Sequence, residues 1–84
     1  VKYEAIKTDK NSMRHEYLDD ATTIYLYENI RTREYNGRIK SVHLGIKVEF
    51  DVAYIGKYDT PKDAAMYLLR MLKNFARKYE HEII

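Results

Sequence analysis

Residues 42–54 read Val-His-Leu-Gly-Ile-Lys-Val-Glu-Phe-Asp-Val-Ala-Tyr, and this stretch decides the fold. Val42, Leu44, Ile46, Val48, Phe50, Val52 and Tyr54 take every second position. His43, Gly45, Lys47, Glu49, Asp51 and Ala53 fill the gaps. Successive side chains of a strand point to opposite faces, so this alternation describes a sheet with one face buried and one wetted. The run is more than twice as long as a usual strand of ~5–6 residues. It should therefore break in two, either at Gly45 or within residues 47–51.

Working upstream, residues 22–34 read as another strand, because Thr22, Thr23, Ile24, Tyr25 and Tyr27 suit a pleated surface. Asn36-Gly37 follows, a strong hairpin signal, since a two-residue type I′ turn needs positive φ at both central positions. Such a turn would pair Tyr27 with Ile46 and Tyr25 with Val48, placing both tyrosines on the apolar face. Ile24, Leu26 and Ile30 would then be stranded beside His43, Lys47 and Glu49. One bulge or a longer loop inverts that assignment, and the sequence leaves both registers open.

Downstream, the period changes. Asp59-Thr60 supplies an N-cap, Pro61 fits the first helical position, and Asp63 completes a capping box with Asp in place of Glu. Ala65, Leu68, Leu69, Leu72, Phe75, Ala76 and Tyr79 recur at three- and four-residue spacing, which makes one apolar stripe. Arg70, Lys73, Arg77 and Lys78 lie mostly off it. The helix is expected over 60–81, with His81 to Ile84 fraying, and its stripe needs the apolar sheet face as partner.

The first twenty residues say less. Residues 1–8 alternate weakly, as a short strand would. Residues 9–20 are polar and turn-like at Asp9-Lys10-Asn11-Ser12, with Met13 and Leu18 as anchors, here expected in a short helical turn. The resulting fold class is α+β. A three-stranded antiparallel sheet over 22–58 packs on one C-terminal helix, with room for a fourth strand from the N-terminal segment, 1–20. At 84 residues the chain is one domain, because a second core has no room.

The composition narrows the chemistry. With no cysteine, thiol catalysis, disulfides and thiolate zinc sites are excluded. The three histidines stand in no metal-ligand spacing, and three scattered glycines cannot build a phosphate loop. Neither Ser12 nor Ser41 lies in a nucleophile elbow. No enzyme and no cofactor is expected. No apolar run reaches the ~18 residues of a membrane helix. Lys2, Glu4 and Lys7 interrupt any signal-peptide pattern, so a cytoplasmic protein is expected. The chain opens on Val1, which leaves room for it to be one domain of a longer protein. The net charge of +2 is unevenly spread: residues 29–47 carry Arg31, Arg33, Arg38, Lys40 and Lys47 against Glu34 alone.

The junction at 54–65 reads Tyr-Ile-Gly-Lys-Tyr-Asp-Thr-Pro-Lys-Asp-Ala-Ala. It resembles the strand-to-helix junction of the plant ethylene-responsive-factor (Apetala-two) DNA-binding domain, whose pattern is aromatic–Leu–Gly–x–Phe–Asp–Thr–x–Glu–Glu–Ala–Ala. Similar junctions occur in phage homing-nuclease domains and in the arm-binding domains of tyrosine integrases. Asn29-Ile30-Arg31 takes the place of that family's Gly-Val-Arg, and Asn36-Gly37-Arg38-Ile39 that of its Gly-Lys-Trp. The resemblance implies double-stranded DNA as partner, with the outer sheet face in the major groove. It implies contacts from Arg31, Arg33, Arg38, Lys40, Lys47 and Lys57, with Tyr35 at an exposed hairpin tip. A mobile-element or phage recombination or regulatory protein would fit. The rival expectation is a protein-binding module or small phage-type inhibitor. It would act through a Tyr/Arg surface or as a homodimer, since nine tyrosines accompany a weak net charge.

Overall fold

A computed structural model describes the backbone of residues 1–43 and 45–83, and the side chains of 1–42, 45 and 47–78. The fold is α+β, one antiparallel sheet with one C-terminal helix. The sheet has five strands rather than three or four. They are β1 (Lys2–Asp9), β2 (Ser12–Leu18), β3 (Thr22–Asn29), β4 (Glu34–His43) and β5 (Ile46–Lys57), followed by α1 (Pro61–Ile83). Their order in the sheet is β1-β2-β3-β4-β5.

The extra strand is β2, where a helical turn was expected. Its alternation is real but chemically disguised. Met13, His15 and Tyr17 share the face that carries Leu26 and Ile24, while Arg14, Glu16 and Leu18 share the other. A buried histidine and an outward leucine hide the period from a hydropathy reading.

The turn between β3 and β4 also lies elsewhere than expected. Asn36-Gly37 sits inside β4, and the chain reverses over residues 30–33. Asn29 organises that turn. Its Oδ1 accepts from the backbone N–H of Arg31 at 3.0 Å and of Thr32 at 3.3 Å, and its carbonyl accepts from Arg33 N–H at 2.7 Å. Asparagine side chains bonding two residues ahead stabilise turns in this way. Arg33 takes φ 60°, a left-handed conformation unusual outside glycine. This turn sets the register: Ile24 pairs with Ile39, Leu26 with Gly37 and Tyr27 with Asn36. Ile24 and Leu26 are therefore buried, and Tyr25 and Tyr27 belong to the outer face, the reverse of the two-residue-turn assignment. Ile30 lies on the turn, partly exposed.

The long alternating run divides at Gly45, φ 77°, one of the two break points expected. Leu44 lies outside the described residues. Beyond it Val48, Phe50 and Val52 face inward and Glu49 and Asp51 outward. The alternation fails at residues 53–55, where the register shifts between Gly37↔Val52 and Tyr35↔Gly56. This bulge turns Ile55 into the core and Tyr54 out to solvent at 57% exposure, against the expectation that Tyr54 is buried. Val42 is exposed as well.

Helix α1 packs mainly on β3, β4 and β5, with Tyr17 of β2 at the margin of the core it closes. Its Ala64, Ala65 and Leu68 close the core over Ile24, Leu26, Tyr35, Ile39 and Ile55. Phe75 meets Phe50 edge-on at 5.2 Å between ring centres. The side chain of Tyr79, expected in the stripe, lies outside the described residues. The helix runs to Ile83, through part of the tail expected to fray. It starts as expected: Asp63 N–H donates to Thr60 Oγ1 at 3.3 Å, and Thr60 Oγ1–H donates to Asp63 Oδ2 at 3.0 Å. Replacing Thr60 by Ala should lower stability by about 1 kcal/mol. A urea titration would show this as a lower midpoint at unchanged m-value; an unmoved midpoint would mean that Pro61 alone sets the helix start.

Candidate functional site

The face of the sheet turned away from α1 is uncovered. Strand β3 contributes Thr23, Tyr25 and Tyr27 to it. Strand β4 contributes Glu34, Asn36, Arg38, Lys40 and Val42, and β5 contributes Lys47, Glu49 and Asp51. At its centre Arg38 is held by carboxylates. Its Nε donates to Asp51 Oδ1 and lies 3.4 Å from Glu49 Oε1, and Nη2 reaches Asp51 Oδ2 at 3.4 Å. The hydrogen bond to Asp51 and that carboxylate's charge raise the Arg38 pKa above its ordinary value, with a further contribution from Glu49. Lys40 stands opposite Glu49 in register, with its Nζ 6.0 Å from the Tyr25 ring centre. On β2, Arg14 Nε lies 3.2 Å from Glu16 Oε1.

The residues expected at DNA therefore separate into groups. Arg38, Lys40 and Lys47 share the outer face. Arg31 and Arg33 occupy the β3–β4 turn, where Arg33 Nη1 lies 3.5 Å from the Asp59 carbonyl oxygen and 3.9 Å from its carboxylate. Lys57 closes β5, opposite Glu34. Tyr35 departs from expectation outright. It is 2% exposed and points into the core, because the hairpin tip lies at 30–33 and not beside it.

Beneath the sheet runs a polar chain that sequence reading missed. His15, 4% exposed, bridges strands. A carboxylate only accepts, so His15 Nε2–H donates to Glu28 Oε1 at 2.7 Å. In the neutral ring Nδ1 is then the acceptor, and the Tyr3 hydroxyl donates to it at 2.7 Å. Tyr35 joins from β4. Burial first, then the Glu28 charge and a hydrogen bond to that carboxylate, push its phenol up to about 12. Burial raises Tyr3 as well, helped by Glu28, and raises Tyr17, helped by Tyr3. The Tyr3 and Tyr17 rings pack at 4.8 Å. The chain ties edge strand β1 to β2, β3 and β4. A histidine two positions from Met13 and from Tyr17 was its one legible signal.

Between α1 and strands β2 and β3 lies an apolar groove of about 510 Å³ walled by Tyr17, Ile24, Ala65, Met66 and Leu69. Among its described lining, Asp19 and Lys62 carry the charged side chains. Among the described residues no group of three His, Cys, Asp or Glu side chains could hold a metal, and no helix is long and apolar enough to cross a membrane. Compared with known proteins, the chain matches no family model, no curated protein and no solved structure.

Proposed function

We propose that this chain is a non-catalytic protein-binding module that docks a folded partner on the outer face of its sheet. One observation carries this: Arg38, fixed between Glu49 and Asp51, sits centrally on a bare face that also carries Tyr25, Tyr27 and Val42. Tyrosine and arginine are the residues enriched at protein interfaces, and a charge-balanced rim suits a partner of mixed charge. A duplex fits this face less well. It brings one phosphate charge per ~1.7 Å of axis toward Glu49 and Asp51, and Arg38 would have to leave both before reaching a guanine.

DNA binding through this same face is the second reading. It is supported by the resemblance of residues 54–65 to DNA-binding junctions and by Arg31 and Arg33 at an exposed turn. A ¹⁵N-resolved titration separates the two. Mixed-sequence duplex at low salt should leave Tyr25, Tyr27, Arg38 and Val42 unmoved. A photo-crosslinker at position 27 should capture a discrete protein, or a second copy of the chain, and lose it on Arg38→Ala. Duplex-induced shifts running from Arg31 to Lys47 would reverse the order of the two readings.

A further inference from the structure

The sheet and the helix do not share the net charge. Residues 1–60 hold ten Lys/Arg and ten Asp/Glu, so the whole sheet portion is neutral. Residues 61–78 hold Lys62, Arg70, Lys73, Arg77 and Lys78 against Asp63 alone. Glu80 and Glu82, whose side chains lie outside the described residues, bring the total back to +2.

These helix bases are not scattered. Positions 62, 66, 70, 73 and 77 repeat at steps of four, four, three and four, which is one side of an α-helix. All five are exposed, Met66 among them, and the side they share faces away from the sheet. Lys78 flanks the stripe, also exposed. On the sheet Arg14, Arg33 and Arg38 each have a carboxylate within 4 Å, whereas among the described residues no helix base does. Asp63 in the first turn is engaged with Thr60 in the cap, and Asp19 lines the groove that Lys62 borders.

We infer that the exposed side of α1 is a second binding surface and that its ligand is the phosphate backbone of a nucleic-acid duplex. From Lys62 to Arg77 the bases span about 22 Å at 1.5 Å per residue. A duplex offers about a dozen phosphates over that length. Lys62 and Met66 border the groove at the start of the helix, but the bases as a set form one extended row, so they match a repeating line of charge better than a compact anion. A lipid surface fits poorly. Interfacial helices insert an apolar face, and the apolar face of α1 is already buried on the sheet. Backbone contacts of this kind carry no base preference. The inference stands apart from the outer sheet face, which lies on the opposite side of the domain; if both hold, the domain joins a protein to a duplex.

The test is fluorescence anisotropy of a labelled mixed-sequence duplex about two turns long, with the full chain and two variants. One variant carries Lys62→Gln, Arg70→Gln, Lys73→Gln and Arg77→Gln; the other carries Arg31→Gln, Arg33→Gln, Lys40→Gln and Lys47→Gln. Each removes four charges, and glutamine is nearly as good a helix former as the residues it replaces. Far-UV circular dichroism and the urea midpoint confirm that both fold. Each phosphate contact adds ~0.9 to the slope of log K against log salt, so four give a slope near −3.6. The helix variant should lose at least about tenfold in affinity at low salt and most of that slope, while the sheet variant stays within about twofold. Equal losses in both variants, or no duplex binding at low salt, would overturn the inference. So would helix-dependent binding to phosphatidylserine-containing vesicles that outcompetes the duplex.

Discussion

Gly37→Ala destabilises the domain by about 2–3 kcal/mol, and Gly37→Val prevents stable folding. A Cβ at position 37 would lie 2.5 Å from the Tyr25 carbonyl oxygen and 3.2 Å from both Leu26 Cδ2 and Leu68 Cδ1. The first neighbour is backbone and cannot rotate away. The third belongs to α1, so the missing side chain is what lets the helix lie close on β4. The sign makes the test sharp. In an unconstrained strand, Gly→Ala gains about 0.4–1 kcal/mol by restricting the unfolded chain. Here the clash should exceed that gain. With total stability expected at about 4–13 kcal/mol for this length, the alanine variant should still fold and unfold in urea at a clearly lower midpoint. A midpoint at or above that of the parent chain would show that the sheet yields at this position.

Alkaline titration provides the second large effect. Tyr35 is almost fully buried, and its phenol is raised from 10 to about 12 by burial and by Glu28. The folded state therefore binds the phenolic proton more tightly than the unfolded state does. Its contribution is complete below about pH 10 and is lost as the pH rises through about 12. Such a shift corresponds to roughly 1–2 kcal/mol once solvent screening is allowed for. The urea midpoint should fall steeply across this window, and Tyr35→Phe should remove most of the step. A shallow residue should persist from Tyr3 and Tyr17, whose phenols are raised by burial too. At neutral pH Tyr35→Phe should itself cost about 1 kcal/mol, because Glu28 loses one of its donors. A parent and a Phe variant with the same alkaline profile would show that Tyr35 ionises without resisting.

Both positions mark where sequence reading stops. Gly37 follows an asparagine, and Asn-Gly is a strong local turn signal, yet here it answers a tertiary demand for space beneath a helix. That misplacement carried others with it. It put Tyr35 at an exposed tip, left the faces of Ile24 and Leu26 undecided between two registers, and hid Asn29 as the residue that makes the turn. What could be read from the chain was what local chemistry dictates. The Thr60-Pro61-Asp63 cap begins the helix, Gly45 breaks the alternating run, and the stripe through Leu68 finds the sheet. Strand β2 was obscured because burying His15 needs Tyr3 and Glu28, which are twelve and thirteen residues away. The charge reading failed for a related reason. Residues 29–47 carry four excess positive charges as a segment, but in space Arg38 meets Glu49 and Asp51 and Arg33 meets Asp59, all of which lie outside it. Among the described residues no base of α1 has a carboxylate within 4 Å, and their excess is visible only once the helix is divided into inner and outer sides.

The order of the strands in space repeats their order in the chain. Every hairpin can therefore form from residues already adjacent in sequence, with little loop to close, and such local connectivity favours rapid assembly. Closure is a separate matter. Ile24, Leu26 and Ile39 have no cover until Ala64, Ala65 and Leu68 arrive, twenty-five or more residues after the last of them. A ribosome making this chain releases a nearly complete sheet whose apolar side stays wet until α1 follows. The interval between the fifth strand and the helix is when the apolar face is most open to aggregation.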